Sequence, residues 1–243
     1  MQPLKISAKN LGYTALADFC PRCYWIKLRL SHKMPFSVFP GIFSSIDGFT
    51  KSCVHHIIDS CRIGGNLTPD WMREMGNIVG YNPVPHYSKS TYLDEKTNIT
   101  LSGAADDILV DADDSLIVPD YKTAKFTESQ DKLLPMYEIQ LITYGILYRI
   151  QPLLFCVYME PQTEKTKAAD CVTDCGFHME FSAHVLEVQN DRSKVRAALV
   201  KTREIFELES PPDSAHGCKD CLALNNVIGA LGMGKVSSVG LKE

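Results

Sequence analysis

The stretch "SLIVPDYKTAKF", residues 115–126, joins the pattern of a buried strand to charged residues. The apolar run "LIV" favours a core strand. Asp120 and Lys122 follow one residue apart, so in a strand both side chains point to the same side of the sheet. The stretch therefore predicts a core strand that presents an acid and a lysine near one end.

The segment before this strand supplies a second acid. Residues 97–112, "TNITLSGAADDILVDA", read as an extended segment, and "DADD" at 111–114 is a turn signal. We predict a β-hairpin with Asp106 in its first strand and Asp120 in its second. Strand alternation would send Asp107 to the opposite face, so Asp106 is the acid expected beside Asp120 and Lys122.

Two carboxylates and an ammonium at one point suit phosphodiester hydrolysis. Carboxylate oxygens bind Mg²⁺ or Mn²⁺, and such an ion polarises a phosphoryl oxygen and lowers the pKa of a bound water. A neighbouring lysine can orient or deprotonate that water, or stabilise the charge that develops on the phosphorus centre.

Three motifs resemble those of the PD-(D/E)xK nuclease superfamily. The stretches are "SGAADDILVD", "LIVPDYKT" and "QLITY". The closer resemblance is to the RecB-like branch, which includes CRISPR-adaptation nucleases that carry an iron–sulfur cluster. The first motif of that branch, Gly-x-x-Asp, is matched here by Gly103 and Asp106. The second, Asp/Glu-x-Lys-Thr, is matched by Asp120, Lys122 and Thr123. The third, Gln-x-x-x-Tyr, is matched by Gln140 and Tyr144.

The resemblance implies a fold and an activity. The fold is α/β, a restriction-endonuclease-like core with a central mixed β-sheet flanked by helices, in a single nuclease domain over residues 1–243. The activity is Mg²⁺- or Mn²⁺-dependent hydrolysis of DNA, exonuclease-like, on single strands or ends. Protein partners from DNA repair, recombination or CRISPR adaptation are implied as well. The alternative is a catalytically silent nuclease fold that binds nucleic acid or serves in an assembly, and a third reading is a metal-clipped structural protein whose acids lie on its surface.

The same resemblance implies roles for individual residues. Gln140 and Tyr144, four apart on one helix face, would form hydrogen bonds near the metal or the DNA backbone. The simpler interpretation is a core tyrosine beside an amide. The catalytic set is then Asp106, Asp120, Lys122, Gln140 and Tyr144, and the candidate metal ligands are Asp106, Asp120, Tyr121 and Asp47.

Asp47 is a candidate metal ligand because a histidine of the resembled family is missing from this sequence. Many RecB-like nucleases carry a metal-binding histidine on the helix before the sheet, a few residues after a glycine. Here Asp47, six residues after Gly41, stands in that region. An acid on an apolar helix is explained equally by a metal or by solvent. His55 and His56 further along the helix are interpreted as surface or capped core histidines.

The chain contains nine cysteines, four of them in "CPRC" (Cys20, Cys23) and "CKDC" (Cys218, Cys221). Two CxxC pairs suit one tetrahedral Cys₄ site, whereas buried structural cysteines or free thiols are the simpler interpretation. The resemblance implies a [4Fe–4S] cluster, with Zn²⁺ as the alternative. Either would join the terminal segments 1–35 and 210–243. Cys171 and Cys175, with His178, are interpreted as incidental loop cysteines.

Hydrophobic periodicity predicts the remaining elements. Helices are expected at 8–32 (interrupted at Pro21), 42–62, 129–150 and 192–209. Strands are expected at 152–160, as a buried run, and at 176–189, as an edge strand.

Composition limits the classes of function. Apolar residues make up 45% and charged residues 22%, and the net charge is −4, which disfavours a protein that coats DNA but allows a local basic groove. No apolar run reaches membrane-spanning length and no signal pattern opens the chain, so a cytoplasmic location without membrane association is expected. Basic residues near the first CxxC pair and along 192–209 are candidate DNA contacts, with Tyr24 and Trp25 as stacking platforms; charge runs are more often solvated faces.

Overall fold

A computed structural model of the chain describes residues 1–32, 41–62, 68–127 and 132–232. The strands are β1 Leu4–Ser7, β2 Ile78–Tyr81, β3 Thr91–Asp94, β4 Ile99–Ser102, β5 Leu109–Asp111, β6 Leu116–Thr123, β7 Leu153–Pro161, β8 Val172–Thr173, β9 Gly176–Phe177 and β10 Phe181–Val188. The helices are α1 Ala8–Gly12, α2 Pro21–Arg29, α3 Ile42–Arg62, α4 Asp70–Met75, α5 Leu134–Leu147, α6 Arg192–Glu207 and α7 Lys219–Ala230, with 3₁₀ turns at Tyr13–Ala15 and Lys165–Cys171.

The central sheet has five strands in the order β10-β7-β6-β5-β2. Strands β6 and β7 are parallel and α5 forms the crossover between them, while the other neighbouring pairs are antiparallel. A second sheet has the order β1-β4-β3, and β8 pairs with β9. The chain is thus an α/β protein with mixed sheets, as predicted.

The central sheet separates two hydrophobic cores. In β7, Leu154, Cys156 and Tyr158 face a core shared with α2, α5 and α6, whereas Phe155 and Val157 face a core shared with α3 and α4. A strand buried on both faces reads as a continuous apolar run, which is why the sequence of β7 does not alternate. The predicted buried strand at 152–160 is confirmed.

The predicted hairpin is only half right. Residues 97–112 do not form one strand: β4 belongs to the three-stranded sheet and β5 to the central sheet. The actual hairpin is β5–β6. Asp106 therefore lies in the irregular segment 103–108 between two strands, and not inside a strand as predicted. At Gly103, directly after β4, a Cβ would come within 3.1 Å of the Tyr144 ring, so a glycine here admits the close approach of that ring.

Other predicted elements agree to different extents. Helices α3 and α6 match 42–62 and 192–209, and β10 is an edge strand of the central sheet. The helix expected at 8–32 is divided into α1, a 3₁₀ turn and α2, which begins at Pro21, where a missing N–H costs nothing. Helix α5 begins at Leu134 instead of residue 129, and residues 128–131 lie outside the described part. Strand β1 and helix α7 were not predicted.

Within the described residues, no helix combines the length and apolar character that crossing a membrane requires.

Candidate active site and cysteine centre

Asp106 is fixed beside the end of β6 by the main chain. Strand β5 pairs with β6 at Leu116 and Ile117, and further along β6 no other strand among the described residues lies at that edge to accept its N–H groups. The Tyr121 N–H donates to Asp106 Oδ2 at 2.9 Å. The carboxylate thus replaces a strand as acceptor, which satisfies a main-chain donor and places Asp106 next to Asp120.

Asp120 and Lys122 form an ion pair on one side of β6, as predicted from their spacing. The Asp120 side chain is 1% exposed and the Lys122 side chain 18%. Burial raises the pKa of Asp120 to about 7, against the opposing charge of Lys122 and with the help of Asp106. Burial alone would lower the pKa of Lys122, but Asp120 and Asp106 outweigh it and raise that pKa.

Gln140 connects α5 to the acids. Its Nε2 donates to Asp120 Oδ1 at 3.2 Å and to the Tyr144 hydroxyl at 2.7 Å. Its Oε1 is buried and has no hydrogen-bond partner among the described residues. Tyr148, a turn further along the chain, accepts the Ala105 N–H through its hydroxyl at 2.8 Å and so holds the segment that carries Asp106. The three motifs therefore converge, with Gly103 giving the room that the Tyr144 ring requires.

Helix α3 presents a row of side chains four residues apart to this segment. Asp47 is half-buried, and burial and the charge of Asp106 raise its pKa. Lys51 Nζ lies 3.4 Å from Asp106 Oδ1. His55 Nε2 lies 2.9 Å from Asp107 Oδ2, and its ring stacks on Tyr81 at 3.8 Å. Lys51 was missed at the sequence level, although its spacing of four from Asp47 is a signal that it shares a helix face.

Two predictions about neighbouring residues need refinement. Asp107 does point away from Asp120, but the cause is its pairing with His55 in an irregular segment and not strand alternation. Burial raises the pKa of Asp107, although His55 opposes the shift. The Tyr121 side chain packs into the second core, and its bond to the acids is made by its main-chain N–H, which donates to Asp106. His56 is exposed, as expected.

The donor set fits a hard divalent cation. Three carboxylates, those of Asp106, Asp120 and Asp47, lie in this region. Burial, and then the charge of Asp106, raises the pKa of Asp47 and of Asp120, and the ammonium groups of Lys122 and Lys51 offset only part of the carboxylate charge. Gln140, whose Nε2 donates to Asp120, also has a buried Oε1 without a hydrogen-bond partner among the described residues. Carboxylate-rich oxygen sites of this kind suit Mg²⁺ or Mn²⁺.

The four cysteines of the CxxC pairs come together, as predicted. Their Sγ atoms all lie within 4.8 Å of one another. Cys20 and Cys218 are the N-cap residues of α2 and α7, so both pairs lie at helix N-termini, which favour thiolates. Burial would raise the pKa of Cys20, but the N–H groups of Cys23 and Ala215 outweigh it and lower that pKa to about 7. The group joins the N-terminal and C-terminal regions. Cys171, Cys175 and His178 form no such group in the described part of the chain.

Most of the predicted basic DNA contacts are used inside the protein. Arg203 is buried and donates to the carbonyls of Gln2, Thr97 and Asn98. Lys201 donates to the Thr14 carbonyl, and Lys194 pairs with Glu138. The stacking proposal for Tyr24 is wrong, because its ring is 2% exposed and its hydroxyl pairs with Thr202. Trp25 is half-buried, and its indole donates to the Leu208 carbonyl. Lys33, one of the basic residues near the first CxxC pair that are candidate DNA contacts, lies outside the described residues.

Paired acids and a lysine at the end of a central strand, in an α/β fold with a mixed sheet, define a nuclease-like class of protein. A sequence profile of the PD-(D/E)XK nuclease superfamily matches residues 63–225, about two thirds of the chain. The chain therefore belongs to the PD-(D/E)XK nuclease superfamily.

The crystal structure of SSO0001 is similar with a TM-score of 0.37 and 15% identity, over 87% of this chain and 80% of that chain. A similarity of this size carries no conclusion about function. No curated protein matches the chain significantly.

Proposed function

We propose that the chain is a Mg²⁺- or Mn²⁺-dependent nuclease that hydrolyses phosphodiester bonds in DNA, on single strands or at ends. The observation that carries the proposal is the convergence of Asp106, Asp120 and Lys122 around the end of β6, with Gln140 bonded to Asp120. Burial of an acid–lysine pair costs desolvation free energy that the attraction between the two charges does not always repay. A functional role is therefore a better explanation for this pair than a contribution to stability. The 1% exposure of the Asp120 side chain also argues against acids that merely cover a surface.

Asp106 and Asp120 would hold the cation, with Asp47 and the main chain at Tyr121 as further candidate ligands. When bound, the ion supplies Lewis-acid polarisation of a phosphoryl oxygen and a water of lowered pKa. Gln140 would orient the Asp120 carboxylate through its amide N–H, and Tyr144 would hold Gln140. Supporting hydrogen bonds of this kind fix the direction in which a ligand points.

The proposed role of Lys122 follows from its charge. Because Asp120 and Asp106 raise its pKa, the ammonium stays protonated at neutral pH. A protonated lysine donates hydrogen bonds, so we assign Lys122 to orienting the attacking water and stabilising negative charge on the phosphoryl oxygens. This assignment disfavours its use as a general base. A nuclease fold without catalytic activity would have no functional need for a lysine paired with two acids, so this pairing favours an active enzyme over the silent alternative.

We also propose a narrower family placement and a domain extent for the chain. The Gln140–Tyr144 pair supports placement in the RecB-like branch, and the domain is proposed to extend over the whole chain because the cysteine group links its two ends. A role beside partners in repair, recombination or CRISPR adaptation rests on the resemblance alone.

The test is a cleavage assay on purified protein with end-labelled single-stranded DNA, double-stranded DNA and RNA of one sequence. We expect cleavage of DNA only when Mg²⁺ or Mn²⁺ is present, strongest on single strands or ends. Labels at either end separate stepwise from internal cleavage. Lys122→Ala is expected to remove cleavage, while Lys167→Ala, which changes an exposed lysine paired with Glu164, leaves it intact.

DNA binding without cleavage by the wild-type protein, with either metal, would instead favour the silent alternative. Cleavage of RNA in preference to DNA would overturn the substrate part of the proposal and leave the nuclease part standing.

A further inference from the structure

The four thiol groups of the cysteine centre lie closer together than an iron–sulfur cluster allows. The Sγ of Cys23 lies 3.3 Å from that of Cys221 and 3.5 Å from that of Cys218. The Sγ atoms of Cys20 and Cys221 are 3.6 Å apart. Every remaining pair is within 4.8 Å. The four sulfurs therefore surround a space the size of one ion.

A tetrahedral zinc site has this size. Zn–S bonds of about 2.3 Å at tetrahedral angles place sulfurs about 3.8 Å apart. In a [4Fe–4S] cluster each thiolate binds a different iron, at a separate corner of a cube that also contains four sulfides. In the cluster, two thiolate sulfurs are therefore farther apart than the two sulfurs of a one-ion tetrahedral site. The separation between their two irons adds to the distance between the sulfurs. Both pairs at 3.5 Å or less would have to move apart to admit such a cluster.

We propose that Cys20, Cys23, Cys218 and Cys221 bind one Zn²⁺ ion and not the [4Fe–4S] cluster that the family resemblance implies. The division of the ligands supports the same assignment. Two CxxC pairs, one at the N-terminus of α2 and one at the N-terminus of α7, approach a single point from two sides, which suits a tetrahedral Cys₄ zinc site. The Ala215 N–H donates to Cys20 Sγ at 3.3 Å, as neighbouring N–H groups do for metal-bound thiolates.

The proposed ion acts as a redox-inert clip. Helix α2 is already bonded to the chain that follows α6: Arg22 donates to the Pro212 carbonyl and Arg29 to the Leu208 carbonyl. A zinc ion would lock this contact between segments almost two hundred residues apart in sequence. Zn²⁺ has no accessible redox change, so the ion itself would hold the fold without transferring electrons.

Metal analysis of the full chain tests the proposal. The protein is purified without oxygen from cells grown with both iron and zinc, and its zinc, iron and acid-labile sulfide are measured. We expect about one zinc per chain and negligible iron and sulfide. X-ray absorption at the zinc edge should show a single shell of four sulfurs at about 2.3 Å, with no metal–metal distance.

The controls use single substitutions. Cys218→Ser should abolish zinc retention, and Cys53→Ser, which changes an exposed cysteine outside the group, should not. If Cys218→Ser does not fold, replacement of zinc by Co²⁺ in the wild-type protein reports tetrahedral thiolate ligation by its visible spectrum.

Iron and sulfide in cluster stoichiometry, or protein without metal, would overturn the proposal. The measurement is independent of catalysis: zinc in an inactive protein would defeat the nuclease proposal alone, and a cluster in an active one would defeat the zinc proposal alone.

Discussion

Asp120 is constrained by three groups that make different demands on its charge. The Gln140 amide and the Lys122 ammonium favour the carboxylate, whereas burial and the neighbouring Asp106 favour the protonated acid. Burial prevails, and the pKa rises to about 7. A divalent cation would reverse this balance because its charge outweighs that of a single lysine. Metal binding and proton release are therefore expected to be coupled at this residue.

This coupling predicts a pH dependence of Mn²⁺ binding. Below about pH 7 the metal must displace a proton from Asp120, so the Kd should fall about tenfold for each unit that the pH rises from 5 to 7, and then level off. Calorimetric titration in buffers of different ionisation enthalpy measures both the Kd and the protons released. Asp170→Asn, a change in an exposed acid, should show the same profile. Equal Kd values at pH 5.5 and 7.5 without proton release would contradict the coupling.

Helix α3 contacts the segment that carries Asp106, residues 103–108, through side chains on successive helical turns. Lys51 pairs with Asp106, and His55 pairs with the adjacent Asp107. The apolar face of the same helix, with Val54 and Ile58, is buried on the central sheet. The packing of α3 therefore sets the position of residues 103–108 and, through them, of Asp106.

We expect His55→Ala to destabilise the fold, since it leaves the buried Asp107 carboxylate without its side-chain partner. The expected loss in the free energy of unfolding is about 1–3 kcal/mol. Urea denaturation followed by circular dichroism measures it. His56→Ala is the matched control. The His56 side chain, next to His55 in the sequence, is exposed, so removing it should change the free energy of unfolding by less than about 0.5 kcal/mol. Equal effects of the two substitutions would show that the His55–Asp107 pair does not stabilise the helix position.

The elements that could be predicted from sequence are those with a strong period. Helices α3 and α6 and strands β6 and β7 are long and patterned, and their bounds match the expectation closely. The division of residues 97–112 between two sheets could not be predicted from hydrophobic period. Strands β4 and β5 are both short and apolar, so the pattern does not show where one ends and the other begins. Gly103 was the available signal: a glycine inside a strand pattern marks a close approach of another group, here the Tyr144 ring.

The candidate site was predictable to the extent that its residues are close in sequence. Asp120 and Lys122 share a strand, and Gln140 and Tyr144 share a helix, so periodicity places each pair. The contacts of Lys51 with Asp106 and of Tyr148 with Ala105 depend on how whole elements pack, which no local pattern specifies. The same limit explains why the basic pattern at 192–209 predicts DNA contacts, although Arg203 within it is bonded inside the fold.

At the scale of the whole molecule, the cysteine centre joins the two ends of a chain whose sheet lies between them. The group is expected to contribute stability when metal is bound, because binding to the native state alone lowers its free energy. About 4 kcal/mol is gained when the metal is 1,000-fold above its Kd, which for a chain of this size corresponds to about 8–16 °C in Tm.

Cys218→Ser should therefore lower the Tm by about 8–16 °C when it is compared with the wild-type protein in zinc-containing buffer. Cys218 is only half-buried, so lost packing contributes little to this change. Differential scanning calorimetry gives the Tm, and Cys53→Ser should leave it within about 2 °C. A Tm that is the same in all three proteins would show that the cysteine centre does not hold the fold together.

The central claim is that Asp120 serves a metal-dependent nuclease site, and the single-turnover rate of cleavage of a labelled single-stranded oligonucleotide with Mn²⁺ tests it most directly. Asp120→Asn keeps the shape of the side chain and removes its charge. Loss of several kcal/mol of stabilisation should lower the rate on the order of 10³-fold, while Asp170→Asn cleaves at the wild-type rate. Cleavage by Asp120→Asn at a rate equal to that of the wild-type protein would contradict the account.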